Sequence, residues 1–314
     1  MSRRIEMAYK GARVDVPLQN LSLKLELEGA ICDQILTLLT VDKWTGLIAE
    51  YGDAHRKLVT SRVFDRSVYK SIPTVDRKIS KHYDVFNHAL KDYVTERDME
   101  EVEEPFMARA DVNDGITSLL KIEKEYFFSS LLRASETFDT STVKTLSGSD
   151  QFDDYTNSDP TKEIKNAKEK VWKASGKMVN ACICPWPVAN ALRNHPKYRG
   201  TFTAQAIVPL TAEQLRMALD IQKVYVPYST YANDSGQDVA FWGNDMILYH
   251  ESPAATKKMR TFGFRISKKG HEMRNFVKPV DEPVNSDKII VDTAYNAMIT
   301  TPGAGFLLKD AISS

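Results

Sequence analysis

Two stretches of the chain alternate apolar and polar residues in the manner of extended strands. Leu47, Ala49 and Tyr51 occupy every second position of the first stretch. The second runs from Val75 to Tyr83, and its intervening positions are polar: Asp76, Lys78, Ser80 and His82. A period of two with one polar face is typical of a strand that is exposed to water on one side.

Together these stretches predict a long two-stranded excursion over residues 43–83. The residues between the two runs are rich in cations and leave few apolar side chains to cover either face. A hairpin of two strands is marginally stable in water because it cannot bury a face by itself. We therefore expect the excursion to need a partner surface, and the rest of the sequence offers no obvious candidate.

Apolar residues at helical spacing predict two helices in the next part of the chain. Phe86, Ala89, Leu90 and Tyr93 indicate the first. An acidic cluster then precedes Pro105, and this combination favours a helix N-terminus because acidic side chains complement the positive end of the helix dipole. The stripe of the second helix consists of Ile116, Leu119, Leu120, Glu123, Phe127, Leu131 and Ala134. It predicts a helix of about 30 residues and about 45 Å, which suits a spine better than a compact enzyme core.

Capping signals place two further helices. Asp159 before Pro160 predicts a helix that ends at Gly176. Its expected buried stripe is Ile164, Ala167, Val171 and Ala174. Thr211 and Gln214 fit a capping box at the start of another helix.

The remaining segments complete a mixed pattern. Residues 140–160 are rich in Ser, Thr, Asp and Asn and predict an irregular connection. The aromatic-rich segments 222–232 and 239–249 predict strands. Residues 31–41 fit either a short helix or a buried strand. Helices that alternate with antiparallel strands predict an α+β fold.

Composition and charge exclude several classes of protein. Lys and Arg number 42 and balance 42 Asp and Glu, so any contact with nucleic acid or an acidic membrane must be local. The longest uncharged stretch, residues 293–308, contains Pro302 and two glycines, and is too short for a bilayer-spanning helix. The N-terminus lacks the apolar run of a secretion signal and the cysteines are only three, so we expect synthesis in a reducing cytoplasm.

Residues with catalytic or ligand-binding chemistry do not form a recognisable site. Cys182 and Cys184 lack the further ligands of a metal site, so burial as small hydrophobes beside Trp186 is favoured. No two of the six histidines stand at i and i+4, and Ser149 lacks the context of a nucleophile elbow. The glycines do not have the spacing of a nucleotide-binding loop. We therefore predict no enzyme activity, no metal and no cofactor.

One segment, residues 257–274, is locally basic and admits two interpretations. It contains Lys257, Lys258, Arg260, Arg265, Lys268, Lys269 and Arg274 against Glu272 alone. Such a run fits either a phosphate-binding patch or the solvated edge of a strand. Phe262 and Phe264 alternate as the buried face of a strand does, which favours the solvated strand.

Four short motifs resemble a known family in their order and spacing. They are Leu146–Gln151 with Asp154-Tyr155 and Asn157–Pro160; Pro185-Trp186-Pro187 with Ala191–Arg193 and His195-Pro196; Leu210–Leu215; and Trp242-Gly243-Asn244. From about Gly29 to Ile312 the chain resembles the major capsid proteins of tailed bacteriophages. It departs from them at Phe152, where relatives often have tryptophan, and at its start, which does not resemble the helical scaffolding region of some members.

The resemblance implies the fold of an icosahedral shell protein. It places an N-terminal arm at residues 1–42, an extended β-hairpin loop at 43–83, and a peripheral domain with a long spine helix at 84–139. An axial domain follows at 140–275, and residues 276–314 return to the peripheral domain. This agrees with the uncovered hairpin and the long helix, and the missing partner of the hairpin would be a neighbouring subunit.

The resemblance also implies a function. The chain would be a structural protein of the virion capsid that assembles with itself into pentamers and hexamers of a shell around double-stranded DNA, without sequence specificity. Portal, scaffolding and decoration proteins would be further partners, and no membrane would be involved. Two alternatives stay open: a cellular nanocompartment shell that encloses protein cargo, and a soluble enzyme of unknown chemistry, for which the sequence has no motif.

Two sets of charged residues are candidates for contacts between subunits. The predicted loop contains Arg62, Arg66 and Lys70. The acidic cluster contains Glu100, Glu101, Glu103 and Glu104. We expect the two sets to form ion pairs across subunits. The alternative is that both are merely solvated, because exposed ion pairs contribute little singly.

Overall fold

The computed structural model of the chain describes residues 13–48, 81–101, 105–202, 209–253, 261–280 and 286–313. Its helices are α1 (Val16–Lys24), α2 (Glu96–Glu100), α3 (Pro105–Arg133), α4 (Pro160–Ser175), α5 (Trp186–Asn194), α6 (Pro196–Phe202) and α7 (Ala212–Leu219). Its strands are β1 (Arg13–Val14), β2 (Thr37–Val41), β3 (Thr45–Ile48), β4 (Lys81–Asp84), β5 (Phe86–Thr95), β6 (Val143–Thr145), β7 (Ala181–Ile183), β8 (Lys223–Tyr225), β9 (Thr230–Ala232), β10 (Asp238–Ala240), β11 (Met246–Tyr249), β12 (Gly263–Lys268), β13 (Arg274–Val280), β14 (Ser286–Ile299) and β15 (Gly305–Lys309). This mixture of helix and sheet confirms the predicted α+β class.

The first sheet is built around the long strand β14, which pairs on both edges. β5 lies antiparallel along one edge over ten residues. β13 and β12 follow one another along the opposite edge, because residues of β14 that pair with β5 also pair with these strands. β2 joins β12 in parallel and β1 joins β13 in antiparallel register. The sheet therefore ties the start of the described chain to its last third.

The second sheet has the strand order β6-β15-β11-β7-β8 and is buried on both faces. On one face Cys182, Leu248 and Phe306 pack in a core with side chains of α4, α5 and α7. On the other face Ile183 and Ile247 pack in a second core with the C-terminal half of α3. Burial on both faces explains why the inner strands β7 and β11 are continuously apolar rather than alternating.

The long spine helix is confirmed, since α3 runs from Pro105 to Arg133, although its buried face differs from the predicted stripe. Leu119 is 57% exposed and Glu123 is also exposed. The buried face consists of Ala108, Ala110, Asn113, Ile116, Thr117, Leu120, Glu125, Phe128, Ser129 and Leu132. Several of these buried side chains are polar. The stripe predicted from apolar positions alone is therefore rotated about the helix axis relative to the observed buried face.

The helix predicted from Phe86, Ala89, Leu90 and Tyr93 is wrong, because these residues belong to strand β5. All four are exposed and do not form a core face. The buried residue of this strand is Val94, which packs with α3 and β14. Ladder pairing along β14 therefore overrides the local spacing of apolar side chains.

The predicted caps are confirmed. Asp159 accepts a hydrogen bond from the backbone of Lys162 at the start of α4. Gly176 ends that helix at φ 68°, a left-handed conformation in which a Cβ would be strained. Thr211 and Gln214 make both hydrogen bonds of a capping box before α7. Of the stripe expected in α4, Ile164, Ala167 and Val171 are buried, whereas Ala174 is exposed.

Other segments agree with the predictions in part. The strand alternative holds for the second half of residues 31–41, where β2 lies, while residues 32–36 form turns. Residues 140–160 contain short 3-10 turns and the strand β6, as expected of an irregular connection. The strands predicted over 222–232 and 239–249 are the shorter β8, β9, β10 and β11.

Strands pair across the predicted domain boundaries in two places, and the boundaries themselves stay a prediction. β12 falls in the segment predicted as axial domain, 140–275, but it pairs with β14 in the first sheet. β15 falls in the segment predicted to return to the peripheral domain, 276–314, but it pairs with β11 and β6 in the second sheet. The cause is burial, because Phe306 and Leu307 point into opposite cores of the second sheet.

Candidate intersubunit surfaces

The predicted extended loop begins and ends as a paired stem on the first sheet. β3 and β4 pair antiparallel over their full length. Ile48 is buried with Phe264 and Ile266 of the sheet. Lys81 Nζ donates to the carbonyl of Ile299 at 2.8 Å. Residues 49–80 lie outside the described part of the chain, so the stem is the described portion of the predicted loop.

Trp44 fastens the base of this stem. Its ring lies edge-on to His271 with centroids 4.9 Å apart, and Lys268 Nζ lies 5.1 Å from the centroid of the indole. The backbone N–H of Val85 donates to the Trp44 carbonyl at 2.8 Å. Burial, followed by the charges of Arg274 and Lys268, lowers the pKa of His271. These contacts hold the base of the stem against strands of the first sheet.

The structure describes two of the seven residues predicted to contact a neighbour. Arg62, Arg66, Lys70, Glu103 and Glu104 lie outside the described residues. Glu100 and Glu101 are described, and both are exposed at the end of α2. The expected pairing between the two sets therefore stays a prediction.

Residues 96–101 are named here the acidic segment. A capping box holds its start, and two hydrogen bonds donated by Thr95 lower the pKa of Asp98. Arg97 Nε donates to Glu101 at 2.7 Å. Glu100 makes no ion pair with a described residue. The segment thus presents an uncompensated carboxylate to solvent on a fixed backbone.

A cleft lies between α3 and the first sheet, and we name it the cationic cleft after Lys121, Lys124 and Arg265. Its volume is about 320 Å³. Lys124 Nζ and Arg265 Nη1 both donate to Oδ1 of Asp33, at 2.5 and 2.9 Å. Burial acts to raise the pKa of Asp33, but these two cations lower it below its usual value.

Lys121 is the cation of this cleft that makes no ion pair with a described residue. Desolvation by burial lowers its pKa, and the charges of Asp33 and Glu26 act in the opposite direction. The carboxyls lining the same cavity are those of Asp33 and Glu272. Sequence analysis missed the cleft because its residues come from separate segments, and lysines of α3 have no local feature that distinguishes them from a solvated helix face.

The arginines of the basic segment that the structure describes are paired rather than solvated, whereas Lys269 is exposed. Lys257, Lys258 and Arg260 lie outside the described residues. Arg265 lies in the cationic cleft, and Arg274 donates to both carboxylate oxygens of Asp292, at 2.8 and 2.5 Å. Phe262 and Phe264 are buried, as predicted. The expectation of a solvated strand edge is therefore wrong for these two arginines.

A buried carboxylate joins three parts of the chain at the middle of α3. Glu125 is fully buried and accepts hydrogen bonds from the backbone of Ile31 and Cys32, the latter at 2.8 Å. It also accepts from Trp242 Nε1 at 2.6 Å. Trp242 belongs to one of the motifs that carry the family resemblance. Its indole therefore has a structural role, which is to fix the start of β2 against the spine helix.

A second buried polar network docks α1 on its own spine helix. Ser22 Oγ accepts from Asn113 Nδ2 and from Asn275 Nδ2, each at 2.8 Å, and lies 2.9 Å from Thr117 Oγ1. Leu18 is fully buried on the same side of α1. Residues 16–24 of the predicted arm therefore pack on the body of the same chain.

The buried cysteines are unsuited to nucleophilic or metal chemistry. Burial raises the pKa of Cys184 to about 12 and raises that of Cys182 well above its usual value. Trp186, expected beside them, is itself 54% exposed. Within the described ranges no group of three His, Cys, Asp or Glu side chains is arranged to hold a metal ion. None of the described helices combines the length and apolar character needed to cross a membrane.

Ser158 and His195 form a buried hydrogen-bonded pair in which the donor and acceptor roles do not suit nucleophilic catalysis. The backbone N–H of Lys197 donates to His195 Nδ1 at 3.3 Å, so the neutral ring carries its proton on Nε2. Nε2 lies 3.1 Å from Ser158 Oγ and donates to it, while Ser158 donates to the carbonyl of Asp154 at 2.7 Å. A histidine that donates to a serine cannot also deprotonate it, so the pair ties a loop to α5 and α6.

Two phage proteins are similar to this chain in sequence. One is the major capsid protein of Pseudomonas phage JBD67, 23% identical over 237 residues, which are 73% of this chain and 74% of that protein. The other is the major capsid protein of Burkholderia phage BcepMu, 21% identical over 273 residues, which are 82% of this chain and 84% of that protein. No protein-family model matches the chain.

Solved structures share the fold over nearly the whole chain. A phage-related protein from Bordetella bronchiseptica superposes with a TM-score of 0.75 at 20% identity, covering 96% of this chain and 99% of that one. The putative capsid protein of an E. coli CFT073 prophage gives 0.55 at 10%, covering 95% and 99%. The encapsulin of Synechococcus elongatus gives 0.50 at 11%, covering 88% and 86%. In sequence and fold the chain is similar to phage major capsid proteins, which confirms the resemblance predicted from its motifs.

Proposed function

We infer that this chain is the major capsid protein of a tailed phage, a structural subunit that assembles with copies of itself into a shell. The agreement of two comparisons carries this conclusion: the chain shares its fold over 95% of its length with a putative prophage capsid protein, and the two phage proteins similar to it in sequence are both major capsid proteins. His195 donates its hydrogen bond to Ser158 instead of accepting one, and burial raises the pKa of the Cys184 thiol. Both observations support a structural role without catalysis.

The mechanism of assembly is geometric. The stem formed by β3 and β4 is the described part of the predicted loop, and an extended loop over 43–83 would reach a neighbouring subunit. Obligate assemblies bury large areas by many such contacts, each of which is weak singly. Subunits would group into pentamers and hexamers, with the axial domain at the capsomer centre and the arm and peripheral domain towards its rim.

The finer assignments belong to the same proposal. The shell would enclose double-stranded DNA without sequence specificity, and the protein would reside in the virion capsid after synthesis in the host cytoplasm. Portal, scaffolding and decoration proteins would be its further partners.

Electron microscopy of the purified full chain tests the function. A shell protein forms particles in the megadalton range, whereas a soluble enzyme elutes from a sizing column as a monomer or small oligomer. A compact monomer under all conditions, including coexpression with the neighbouring phage genes, would refute the proposal.

A nanocompartment shell that holds protein cargo is the second candidate, favoured by the fold shared with an encapsulin. The sequence relatives support the phage capsid instead. Nuclease-protected double-stranded DNA in particles from infected or induced cells supports the capsid, and particles with protein cargo and no DNA support the alternative.

Pairing of Arg62, Arg66 and Lys70 with Glu100, Glu101, Glu103 and Glu104 of a neighbour is a further part of this proposal. Reversal of charge at Glu103 would bring like charges together and lower the yield of shells. Unchanged yield would show that these residues are merely solvated.

A further inference from the structure

The acidic segment and the cationic cleft are complementary in charge but cannot meet within one chain. The acidic segment precedes Pro105, and Lys121 lies about 24 Å farther along the axis of α3, at 1.5 Å per residue. The capping box between Thr95 and Asp98 also fixes the acidic segment to the end of β5. A contact between the two surfaces therefore requires two copies of the chain.

The cleft is prepared for one additional carboxylate. Asp33 already accepts from Lys124 and Arg265, and together with Glu26 it acts on Lys121 only from beyond ion-pair distance. Lys121 is partly desolvated in the same cavity and has no ion pair among the described residues. A partly desolvated ammonium gains more from an added carboxylate than an exposed lysine does, because the local dielectric is lower.

The rim of the cleft favours a protein partner. Leu23 and Leu38 line the cavity and are 51% and 45% exposed, so a docked segment would bury apolar surface around the ion pair. Asp33 and Glu272 line it as well. Their charges would repel the continuous phosphate backbone of a nucleic acid but leave room for a single carboxylate placed beside Lys121.

We propose that the acidic segment of one subunit docks on the cationic cleft of a second copy and pairs its Glu100 with Lys121. This rests on the proposed function, since it names the partner of a shell-building surface. Because both surfaces belong to the same chain, the contact is head-to-tail and repeats from copy to copy, as a ring or closed shell requires. It places Glu100 on the body of the neighbour, so the pairing with the extended loop proposed above would fall to Glu101, Glu103 and Glu104.

A charge exchange tests the proposal with the full chain. The variants are Lys121→Glu, Glu100→Lys and the double variant that carries both. Lys165→Glu, on the exposed face of α4, is the matched control for loss of one lysine charge. Assembly is followed by light scattering and electron microscopy, and thermal unfolding of the unassembled chain shows that each variant is folded.

Each single reversal is expected to lower the rate or yield of particles at least about tenfold, because like charges then face each other at every repeat of the contact. The double variant is expected to return to within about threefold of the original chain, because it restores an opposite pair. The control should assemble normally.

Four results would overturn the inference. Single reversals that assemble normally would show that the contact does not form. Failure of the double variant to recover would show that Glu100 and Lys121 are not partners, and rescue of Glu100→Lys by Arg66→Glu would identify the loop as the receptor. Normal particles of Lys121→Glu that lose packaged DNA would assign the cleft to nucleic acid. If the unaltered chain itself forms no particles, the proposed function fails instead.

Discussion

The apolar core of the second sheet and the polar network that holds α1 and Trp242 on α3, named here the polar joint, are both buried but differ in chemistry. The first is apolar, with Cys182, Leu248 and Phe306 at most 2% exposed. The second contains buried polar side chains: Ser22, Asn113, Thr117, Glu125 and Asn275. Apolar contacts are not directional, whereas each buried polar group needs a partner at a set distance and angle. The apolar core therefore supplies stability, and the polar joint fixes how the arm helix and the Trp242 segment sit on the spine.

The largest loss of stability is expected from a substitution in the apolar core of the second sheet. Phe306→Ala should lower the free energy of unfolding by about 3–5 kcal/mol, because it removes a buried ring and leaves a cavity. Urea unfolding of the unassembled chain measures it. Phe86→Ala, which truncates a ring that is 56% exposed on β5, is the matched control and should change stability by about 0.5 kcal/mol or less. Equal losses in both variants would contradict the assignment of the core.

The next effect tests the polar joint. Glu125→Gln should cost about 2–3 kcal/mol, since the new amide group faces N–H donors that it cannot satisfy. The same urea titration measures the loss. The exposed Glu136→Gln is its control and should be nearly neutral. If Glu125→Gln is as mild as the control, the carboxylate does not hold the backbone of residues 31–32 and the indole of Trp242 together.

A smaller loss of stability is expected from a substitution in the hydrogen-bond network that docks α1. Ser22→Ala removes the acceptor of Asn113 and Asn275 and should cost about 1–2 kcal/mol. Hydrogen exchange of the backbone amides in residues 16–24 should accelerate more than that of the second sheet. Ser149→Ala, at an exposed position, is the control. Uniform acceleration over the whole chain would show that Ser22 contributes general stability rather than docking of the arm helix.

The same contrast explains what the sequence could predict. Elements set by local signals were found, such as the caps at Asp159 and Thr211 and the length of α3, because hydrogen bonds within a few residues define them. The buried face of α3 was not found, since Asn113 and Glu125 become core residues only when partners from residues 22, 31 and 242 arrive.

Long-range pairing accounts for the other failures. β5 became a strand because β14 offers ten residues of ladder, although its apolar residues have helical spacing. The cationic cleft could not be predicted either, because Asp33, Lys121 and Arg265 are brought together by the sheet and not by their spacing in the sequence. The family resemblance rested on motifs such as that at Trp242, whose hydrogen bond to Glu125 gives one physical reason for the motif.

The smallest expected effect is a pH dependence that comes from histidines beside the second sheet and at the stem of the predicted loop. Burial lowers the pKa of His195 and His250 beside the second sheet and of His271 at the stem of the loop, each from an ordinary value of 6.5. The folded chain therefore favours the neutral rings, and below about pH 6.5 the unfolded chain binds protons first. Stability should be fully present above that pH and should fall as the pH drops towards the lowered folded-state values.

Urea unfolding at a series of pH values between about 5 and 8 measures this slope. Replacement of all three histidines by Gln should flatten it, whereas His271→Gln alone should remove the part that belongs to the stem. Because His250 and His271 are only partly buried, solvent limits their contributions, and the total should stay below the loss caused by Ser22→Ala. An unchanged slope in the triple variant would show that carboxylates cause the pH dependence. The acid sensitivity of the fold would then come from its ion pairs.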